Sequence, residues 1–225
     1  MKLSKRLQTI SDIIKKYSNH GLFADIGSDH GYLPVELVLK DVFSYAYACD
    51  IADGPLQACQ NTINLTNTCH LIEVKKGDGL KPVFGKELDI ISICGMGGNL
   101  ICQILDSGLN YLSVNTLVIE ANINEPLVRS FLSSHGWKIV DEDVVEDMGH
   151  YYEIIVAKKG NISYSEKELY LGPIFLIKKP EIIYKKWEWK KGIVQKILIS
   201  LNETSEKYKI VHQQYLWLEE TLCEN

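Results

Sequence analysis

A glycine-containing turn near the N-terminus constrains the fold of this chain more than any other segment. A short apolar run ends at Asp25, and the sequence then reads DIGSDHGYLP as far as Pro34. The apolar residues that follow have helical spacing, which places Gly27 and Gly31 in a turn between a strand and a helix. Glycines in such a turn let the backbone approach a ligand closely. The segment therefore predicts a binding site at the end of a strand.

A second acid follows at the spacing expected of a doubly wound sheet. Another short apolar run, at residues 45–49, ends directly before Asp50. Doubly wound sheets commonly place an acid at this point, where it accepts hydrogen bonds from ribose hydroxyls. The glycine turn and Asp50 together predict a nucleoside-bearing cofactor.

The polar residues of the turn favour S-adenosylmethionine over a dinucleotide. A dinucleotide fingerprint leaves room for pyrophosphate at a helix N-terminus, whereas Ser28, Asp29 and His30 fill this turn. The negative charges of Asp25 and Asp29 would repel pyrophosphate and attract a sulfonium cation. The alternative role for Asp25 is a charge partner of the helix N-terminus.

Composition and length indicate an enzyme without a membrane anchor. A chain of 225 residues can form one α/β core and a small additional unit. We find neither a membrane-spanning apolar stretch nor a signal peptide, so we expect a cytoplasmic protein. The six cysteines lack CxxC and His-paired spacing, and we therefore expect neither a disulfide nor a bound metal. The net charge of −5 argues mildly against a nucleic-acid partner, although lysines cluster locally.

The order of predicted elements gives the fold class. Five short apolar strands alternate with helices, which predicts a parallel sheet with the site at its carboxyl edge. Residues 137–145 and 151–157 then form a predicted hairpin, which is typical of class I S-adenosylmethionine-dependent methyltransferases. We therefore predict an α/β fold with a Rossmann-like mixed sheet and a terminal antiparallel hairpin, over residues 1–160.

The C-terminal residues 161–225 predict a separate helical domain. The chain breaks at residues 171–173, and two long helical patterns follow with Asn202 between them. We interpret them as a small antiparallel helical hairpin, similar to a coiled coil. Trp187, Trp189 and Trp217 are interpreted as core or seam residues.

Two further strand ends supply candidate site residues. Asp78 lies between two glycines, where it could accept a hydrogen bond from the exocyclic amine of adenine or simply form a turn. The glycine-rich residues 94–98 could form the floor of an acceptor pocket. Methyltransferases that act on exocyclic amines often carry an Asn/Asp-Pro-Pro-aromatic loop here. Its absence favours a different acceptor atom.

The chain resembles the bacterial TrmK family, which methylates N1 of adenine 22 in tRNA. The matching segments are LSKRL at 3–7, DIGSDHGYLP at 25–34, CDI at 49–51, GPL at 54–56, GDG at 77–79, ICGMGG at 93–98, NINE at 122–125, YYEIIVA at 151–157 and LGP at 171–173. This chain departs from the family pattern at residues 120–122, which read Glu-Ala-Asn. The family pattern there is similar to Gln-Pro-Asn. These residues border the expected acceptor pocket.

The resemblance implies S-adenosylmethionine as the cofactor and tRNA as the partner. The candidate cofactor-binding residues are Asp25, Gly27, Asp50, Ile51, Asp78, Gly79, Gly95 and Met96. The candidate substrate-binding residues are Arg6, Gly97, Gly98, Asn122, Lys185, Lys186 and Lys190. The lysines are the candidates for gripping phosphates, whereas Arg6 could touch the RNA or form a helix ion pair. We expect a monomer.

Asp29 is the candidate catalytic residue, both by resemblance and by chemistry. N1 of adenine has its own lone pair, but methylation makes the ring cationic and spreads charge onto N6. A carboxylate hydrogen-bonded to N6 would stabilise that charge and could take a proton from it. The alternative role for Asp29 is a cap on the following helix. His30 is a weaker candidate, and Asn122 could read a base edge or form a turn.

Three other functions remain compatible with these residues. A methyltransferase that acts on rRNA or another base would keep the same cofactor site. A noncatalytic S-adenosylmethionine-binding or interaction module would bind without turnover. A dehydrogenase would instead require binding of a dinucleotide.

Overall fold

The chain consists of two compact units that divide between Ile162 and Ser163. A computed structural model describes residues 3–223. Residues 1, 2, 224 and 225 lie outside it, and Lys2 of the N-terminal basic cluster is among them. Within the described part of the chain, no helix is both long enough and apolar enough to cross a membrane.

The first unit is built on a seven-stranded sheet with the order β3-β2-β1-β4-β5-β7-β6. The strands are β1 (Leu22–Ile26), β2 (Tyr45–Asp50), β3 (Ile72–Lys76), β4 (Glu87–Gly97), β5 (Ser113–Ile123), β6 (Trp137–Asp147) and β7 (His150–Lys159). Strands β1 to β5 are parallel, whereas β7 runs antiparallel to both β5 and β6. The predicted Rossmann-like sheet with a terminal hairpin is confirmed.

Among the described residues, five α-helices flank the sheet of the first unit. They are α1 (Lys5–Tyr17), α2 (Tyr32–Leu39), α3 (Asp53–Leu65), α4 (Gly98–Gly108) and α5 (Glu125–Ser134). The first helix begins where the Ser4 hydroxyl accepts a hydrogen bond from the Leu7 amide at 3.2 Å. Its buried face includes Ile10, Ile13 and Ile14, which have the spacing of one helical stripe. This packing brings the start of α1 to the sheet edge where β1 and β4 end.

The second unit is entirely helical in its described residues. Its helices are α6 (Glu166–Leu171), α7 (Pro173–Lys178), α8 (Glu181–Ser200) and α9 (Glu206–Cys223). The chain breaks at Gly172, which has φ +96 and is followed by a proline that starts α7. The long helices α8 and α9 pack against each other, as predicted. Trp187 is 1% exposed, which agrees with its interpretation as a core or seam residue. Trp189 is 54% exposed and is therefore not a core residue.

One buried hydroxyl in the sheet gives a stability prediction. Thr116 on β5 is fully buried, and its Oγ1 has no hydrogen-bond partner among the described residues. Because an unpaired buried hydroxyl loses its hydration without compensation, we expect Thr116→Val to stabilise the fold by about 1 kcal/mol. The measurement is the urea midpoint of both proteins. A decrease in stability would show that the hydroxyl makes a favourable interaction.

Candidate active site

A pocket of about 300 Å³ opens at the carboxyl ends of β1 and β4. It is lined by Arg6, Leu7, Asp25, Gly27, Ser28, Asp29, His30, Tyr32, Leu33, Cys94 and Gly95. The lining therefore combines the start of α1, the turn that follows β1 and the end of β4. Four of the residues selected from the sequence as cofactor or catalytic candidates meet here, namely Asp25, Gly27, Asp29 and Gly95.

Asp25 is a buried carboxylate held by two hydroxyls. It is 5% exposed, and it accepts hydrogen bonds from Ser28 Oγ at 2.7 Å and Ser92 Oγ at 2.6 Å. Burial raises the pKa of Asp25, and the two serine hydrogen bonds oppose that shift. Burial therefore disfavours the ionised form of Asp25, and carboxylates with such perturbed pKa values are typical of binding sites.

The backbone of the turn after β1 is hydrogen-bonded to the neighbouring strand β2. The amides of Gly27 and Ser28 both donate to the carbonyl of Cys49, at 2.8 and 2.9 Å. Gly27 has φ +76, and a Cβ built there would lie 2.1 Å from Cε of Met96. A side chain at position 27 would therefore be strained and would displace Met96. Bare backbone thus lines this side of the pocket.

Asp29 presents its carboxylate to the open side of the pocket. Its backbone has φ +46, its side chain is 65% exposed, and Oδ2 lies 3.8 Å from Nε2 of His30. The N-cap of α2 is Gly31, which makes no side-chain capping hydrogen bond. The geometry therefore gives no support to the alternative in which Asp29 caps the helix. A left-handed non-glycine residue is uncommon, and such residues cluster at functional sites.

The acceptor side of the pocket contains a bulge at Gly95. Both β4 and β5 continue three residues beyond the end of their apolar segments, which are followed by glycine at position 95 and by alanine at position 121. The pairing passes from Cys94 opposite Glu120 to Met96 opposite Ala121, which leaves Gly95 without a register partner. The left-handed φ of +80 at Gly95 produces this bulge. The glycines at positions 95 and 97 are thus part of an irregular strand, although glycine-rich segments usually indicate a loop.

Side chains of β5 fix both backbone groups of the bulge. The amide of Gly95 donates to Oε2 of Glu120 at 3.0 Å. The carbonyl of Gly95 accepts a hydrogen bond from Nδ2 of Asn122 at 2.7 Å. Asn122 therefore supports the pocket floor through its amide nitrogen, and its side chain lies at the exposed edge.

Arg6 lines the pocket and contacts the sheet. Its Nη1 lies 3.7 Å from Oε2 of Glu120, and its guanidinium carbon lies 4.9 Å from the centre of the Tyr152 ring. The Arg6 amide donates to Oδ2 of Asp147 at 3.1 Å. The described ion pair thus joins α1 to β5, in contrast to the intrahelical pair considered from the sequence.

Six other candidates lie outside the pocket lining. Asp50 ends β2 and accepts a hydrogen bond from the Ala52 amide at 2.9 Å, while Ile51 beside it is exposed. Asp78 is paired with Lys81 at 2.7 Å. The remaining three have packing roles: Gly79 faces Ile104, Gly97 is the N-cap of α4, and Gly98 lies where a Cβ would meet the Asn124 carbonyl.

The lysine candidates of α8 differ in exposure. Lys185 is exposed and lies 3.3 Å from Glu181. Lys190 donates to the Tyr170 carbonyl at 3.4 Å and lies over the Tyr170 ring. Lys186 is only 3% exposed, so the expectation that it is an exposed phosphate-binding cation is wrong. Helical spacing places it on the buried face of α8, next to Trp187.

Sequence reasoning missed the residues that support the site. The sequence predicts only polar bulk at Ser28, and it predicts no role for Ser92, Glu120 or Tyr152. Glu120 stood at a noted departure from the resemblance, which was the available signal for it. Among the described residues, no group of three or more His, Cys, Asp or Glu side chains is arranged to hold a metal ion.

Comparison with known proteins assigns the family. The profile of the TrmK family, described as tRNA (adenine(22)-N(1))-methyltransferase, matches residues 23–219. A tRNA (adenine(22)-N(1))-methyltransferase of Bacillus subtilis (strain 168) is 35% identical over 214 residues, which are 92% of this chain and 88% of the relative. The chain belongs to the TrmK family.

Solved TrmK structures share the whole fold. The crystal structure of the B. subtilis m1A22 tRNA methyltransferase TrmK has a TM-score of 0.86 and 33% identity, covering 98% of this chain and 99% of that chain. The structure of M. capricolum TrmK in complex with S-adenosyl-homocysteine has a TM-score of 0.86 and 26% identity, covering 99% of both chains. The prediction of an S-adenosylmethionine-dependent tRNA methyltransferase is confirmed, and the dehydrogenase alternative is wrong.

Proposed function

We propose that the pocket beside Asp25 binds S-adenosylmethionine and that Asp29 assists transfer of its methyl group to N1 of adenine 22 in tRNA. The observation that carries this proposal is the convergence of three features in one pocket. They are the buried carboxylate of Asp25, the bare backbone of Gly27 and the exposed carboxylate of Asp29.

The lining residues fit the cofactor chemically. S-adenosylmethionine supplies a methyl group on a positively charged sulfur. Asp25 and Asp29 give the pocket negative charge, which favours a sulfonium and an ammonium group. Gly27 and Gly95 both have left-handed backbones and line the pocket without a side chain. The missing side chain makes room for Met96 at Gly27, whereas a Cβ at Gly95 would lie 3.8 Å from Nη2 of Arg6. The pocket therefore offers both the negative charge and the main-chain surface that this cofactor requires.

Neighbouring strand ends extend the proposed cofactor site. Asp50 ends β2 and Asp78 follows β3, so both acids lie at the same sheet edge as Asp25. Ile51 comes directly after Asp50. We assign Asp50 to the ribose hydroxyls and Asp78 to the adenine amine, with Ile51 and Gly79 beside them. Because Asp78 pairs with Lys81 at the surface, this assignment requires its carboxylate to exchange partners. Met96 covers Gly27 from the β4 side.

Asp29 acts on the acceptor in this proposal. N1 attacks with its own lone pair, so no base is needed to activate it. The methylated ring becomes cationic, and a carboxylate hydrogen-bonded to N6 stabilises the charge as it develops. The same carboxylate can accept a proton from N6. The exposure of Asp29 leaves it open to an incoming base.

The remaining assignments concern tRNA. N1 lies on the pairing edge of adenine, so the base must leave its stack before it reacts. We assign residues 1–160 to methyl transfer and residues 161–225 to holding the RNA, with Lys185 and Lys190 as phosphate contacts. Arg6, Gly97, Gly98 and Asn122 are assigned to the acceptor side. We propose that the protein acts as a cytoplasmic monomer.

The proposal is tested by transfer of labelled methyl groups to RNA. The protein is incubated with labelled S-adenosylmethionine and an unmodified tRNA transcript, with a matched transcript that carries guanosine at position 22, and with rRNA. Label in the first RNA alone supports the proposal. Equal labelling of both transcripts, or labelling of rRNA alone, would reject the assigned acceptor.

Replacement of Asp25 should weaken cofactor binding and at the same time raise the stability of the fold. We expect Asp25→Asn to bind S-adenosylmethionine at least about tenfold more weakly, because the pocket loses a buried negative charge. At neutral pH the same variant should have a higher Tm than the wild type. The reason is that the raised pKa of Asp25 makes its ionised form a cost to the folded state.

The pH dependence gives the control for this prediction. A group whose pKa is raised by folding contributes stability below its unfolded pKa and loses that contribution as the pH rises through its folded pKa. The Tm difference should therefore grow as the pH rises above the ordinary pKa of an aspartate, and it should disappear in acid, where Asp25 is protonated in both states. Calorimetric binding and melting at several pH values measure both effects. Unchanged cofactor affinity would exclude Asp25 from the site.

A further inference from the structure

A buried carboxylate lies directly beneath the acceptor side of the pocket. Glu120 on β5 is fully buried, and no role follows for it from the chemistry of methyl transfer. Its Oε2 accepts the Gly95 amide hydrogen bond at 3.0 Å and lies 3.7 Å from Nη1 of Arg6. One oxygen atom thus contacts two residues of the pocket lining, one from β4 and one from α1.

The guanidinium of Arg6 is held on several sides. The Tyr152 ring lies 4.9 Å from its central carbon, and a Cβ on Gly95 would lie 3.8 Å from Nη2. The helix that carries Arg6 is itself tied to β6 by the hydrogen bond from the Arg6 amide to Asp147. Of these contacts, Glu120 supplies the opposite charge at the guanidinium, while the Tyr152 ring supplies a cation–π face.

The charge of Arg6 creates a difficulty that Glu120 resolves. A guanidinium in the pocket disfavours both a sulfonium donor and a base that becomes cationic on methylation. A carboxylate within 4 Å offsets this charge while leaving the N–H groups available as donors. With Arg6 and Glu120 balanced, Asp25 and Asp29 leave the pocket negative.

We propose that Glu120 is a positioning residue that acts through Arg6, fixing and neutralising its guanidinium so that it can bind the acceptor nucleotide. This inference rests on the proposed function, because it assumes that the acceptor enters beside Arg6. A glutamate at position 120 supplies both a negative charge for Arg6 and an acceptor for the Gly95 amide.

The test is a double-mutant cycle with Glu120→Gln and Arg6→Ala. Glutamine keeps an acceptor for the Gly95 amide and removes only the charge. Binding of unmodified tRNA is measured in the presence of S-adenosylmethionine, together with kcat and KM for methyl transfer. We expect Glu120→Gln to weaken tRNA binding by about tenfold, because the Arg6 guanidinium is no longer fixed. We also expect kcat to fall by about tenfold, because the uncompensated guanidinium disfavours the cationic product, while the Tm changes much less.

The double variant shows whether Glu120 affects tRNA binding through Arg6. If Glu120 acts through Arg6, Glu120→Gln should change tRNA affinity by less than about threefold when Arg6 is already alanine. Equal losses in both backgrounds, or a Glu120→Gln variant with wild-type tRNA affinity, would overturn the inference. Thr116→Val is the matched control, since Thr116 is equally buried on the same strand and lies outside the pocket. It should bind tRNA as the wild type does.

The two hypotheses fail in different ways. If the wild type does not methylate position 22, the proposed function fails, and the cycle on tRNA affinity still tests the coupling between Glu120 and Arg6. If the wild type methylates position 22 and the cycle is additive, only the positioning role is rejected.

Discussion

Replacement of Asp29 by alanine is expected to lower kcat for methyl transfer to tRNA by about a thousandfold, the loss typical of removing a group that stabilises transition-state charge. Asp29 is exposed at the pocket rim, and no buried contact depends on it. We therefore expect the dissociation constant for S-adenosylmethionine and the Tm to stay close to the wild-type values. Single-turnover kinetics with saturating cofactor and tRNA measure the chemical step.

Two variants control the Asp29 prediction. Asp29→Asn keeps the shape and a hydrogen-bond acceptor but removes the charge, so it should be nearly as slow as alanine if charge stabilisation dominates. Asp106→Asn replaces an exposed acid on α4 that lies outside the pocket, and it should retain full activity. An Asp29→Ala enzyme with more than about a tenth of wild-type kcat would contradict a catalytic role.

The largest effect on stability is expected at Arg129, a fully buried guanidinium on α5. Its Nε donates to Glu142 on β6 at 2.7 Å, and Nη2 pairs with Glu153 on β7. Burial alone would lower the pKa of Arg129, but the two carboxylates outweigh it, and the pKa is raised. Arg129→Met should destabilise the fold by about 3–5 kcal/mol, because it leaves buried carboxylates without their cation.

The control variant removes the charges of the guanidinium and of both carboxylates together. A triple variant, Arg129→Met with Glu142→Gln and Glu153→Gln, should recover much of the lost stability, because no uncompensated charge remains in the sheet. Urea unfolding of the three proteins gives the free energies. A single Arg129→Met variant within about 1 kcal/mol of the wild type would show that water or rearrangement solvates the carboxylates.

The sequence was sufficient to predict the succession of strands and helices because most of the parallel strands contain a short apolar run that is followed by a polar or glycine residue. The turn from Asp25 to Gly31 could be placed for the same reason, since glycine spacing and flanking periodicity are local signals. These local signals located Asp25, Gly27, Asp29 and Gly95, and the structure brings them into one pocket.

The supporting residues could not be predicted because their roles depend on neighbours that are distant in sequence. Ser92 is a partner of Asp25 only because β4 lies beside β1. Glu120 reaches Gly95 because β5 continues past the point where its apolar run stops. Lys186 looked like one member of an exposed lysine cluster, but the packing of α8 determines which of those lysines are buried.

Locating the methyl group on the RNA distinguishes N1 of adenine 22 from every other acceptor. Unmodified tRNA is incubated with the wild-type protein and S-adenosylmethionine, digested to oligonucleotides and analysed by mass spectrometry, with the nucleosides identified separately. We expect N1-methyladenosine at position 22 with the wild type and its near absence with Asp29→Ala. Methylation of a different base or atom by the wild type, or an unmethylated tRNA despite bound cofactor, would contradict this expectation.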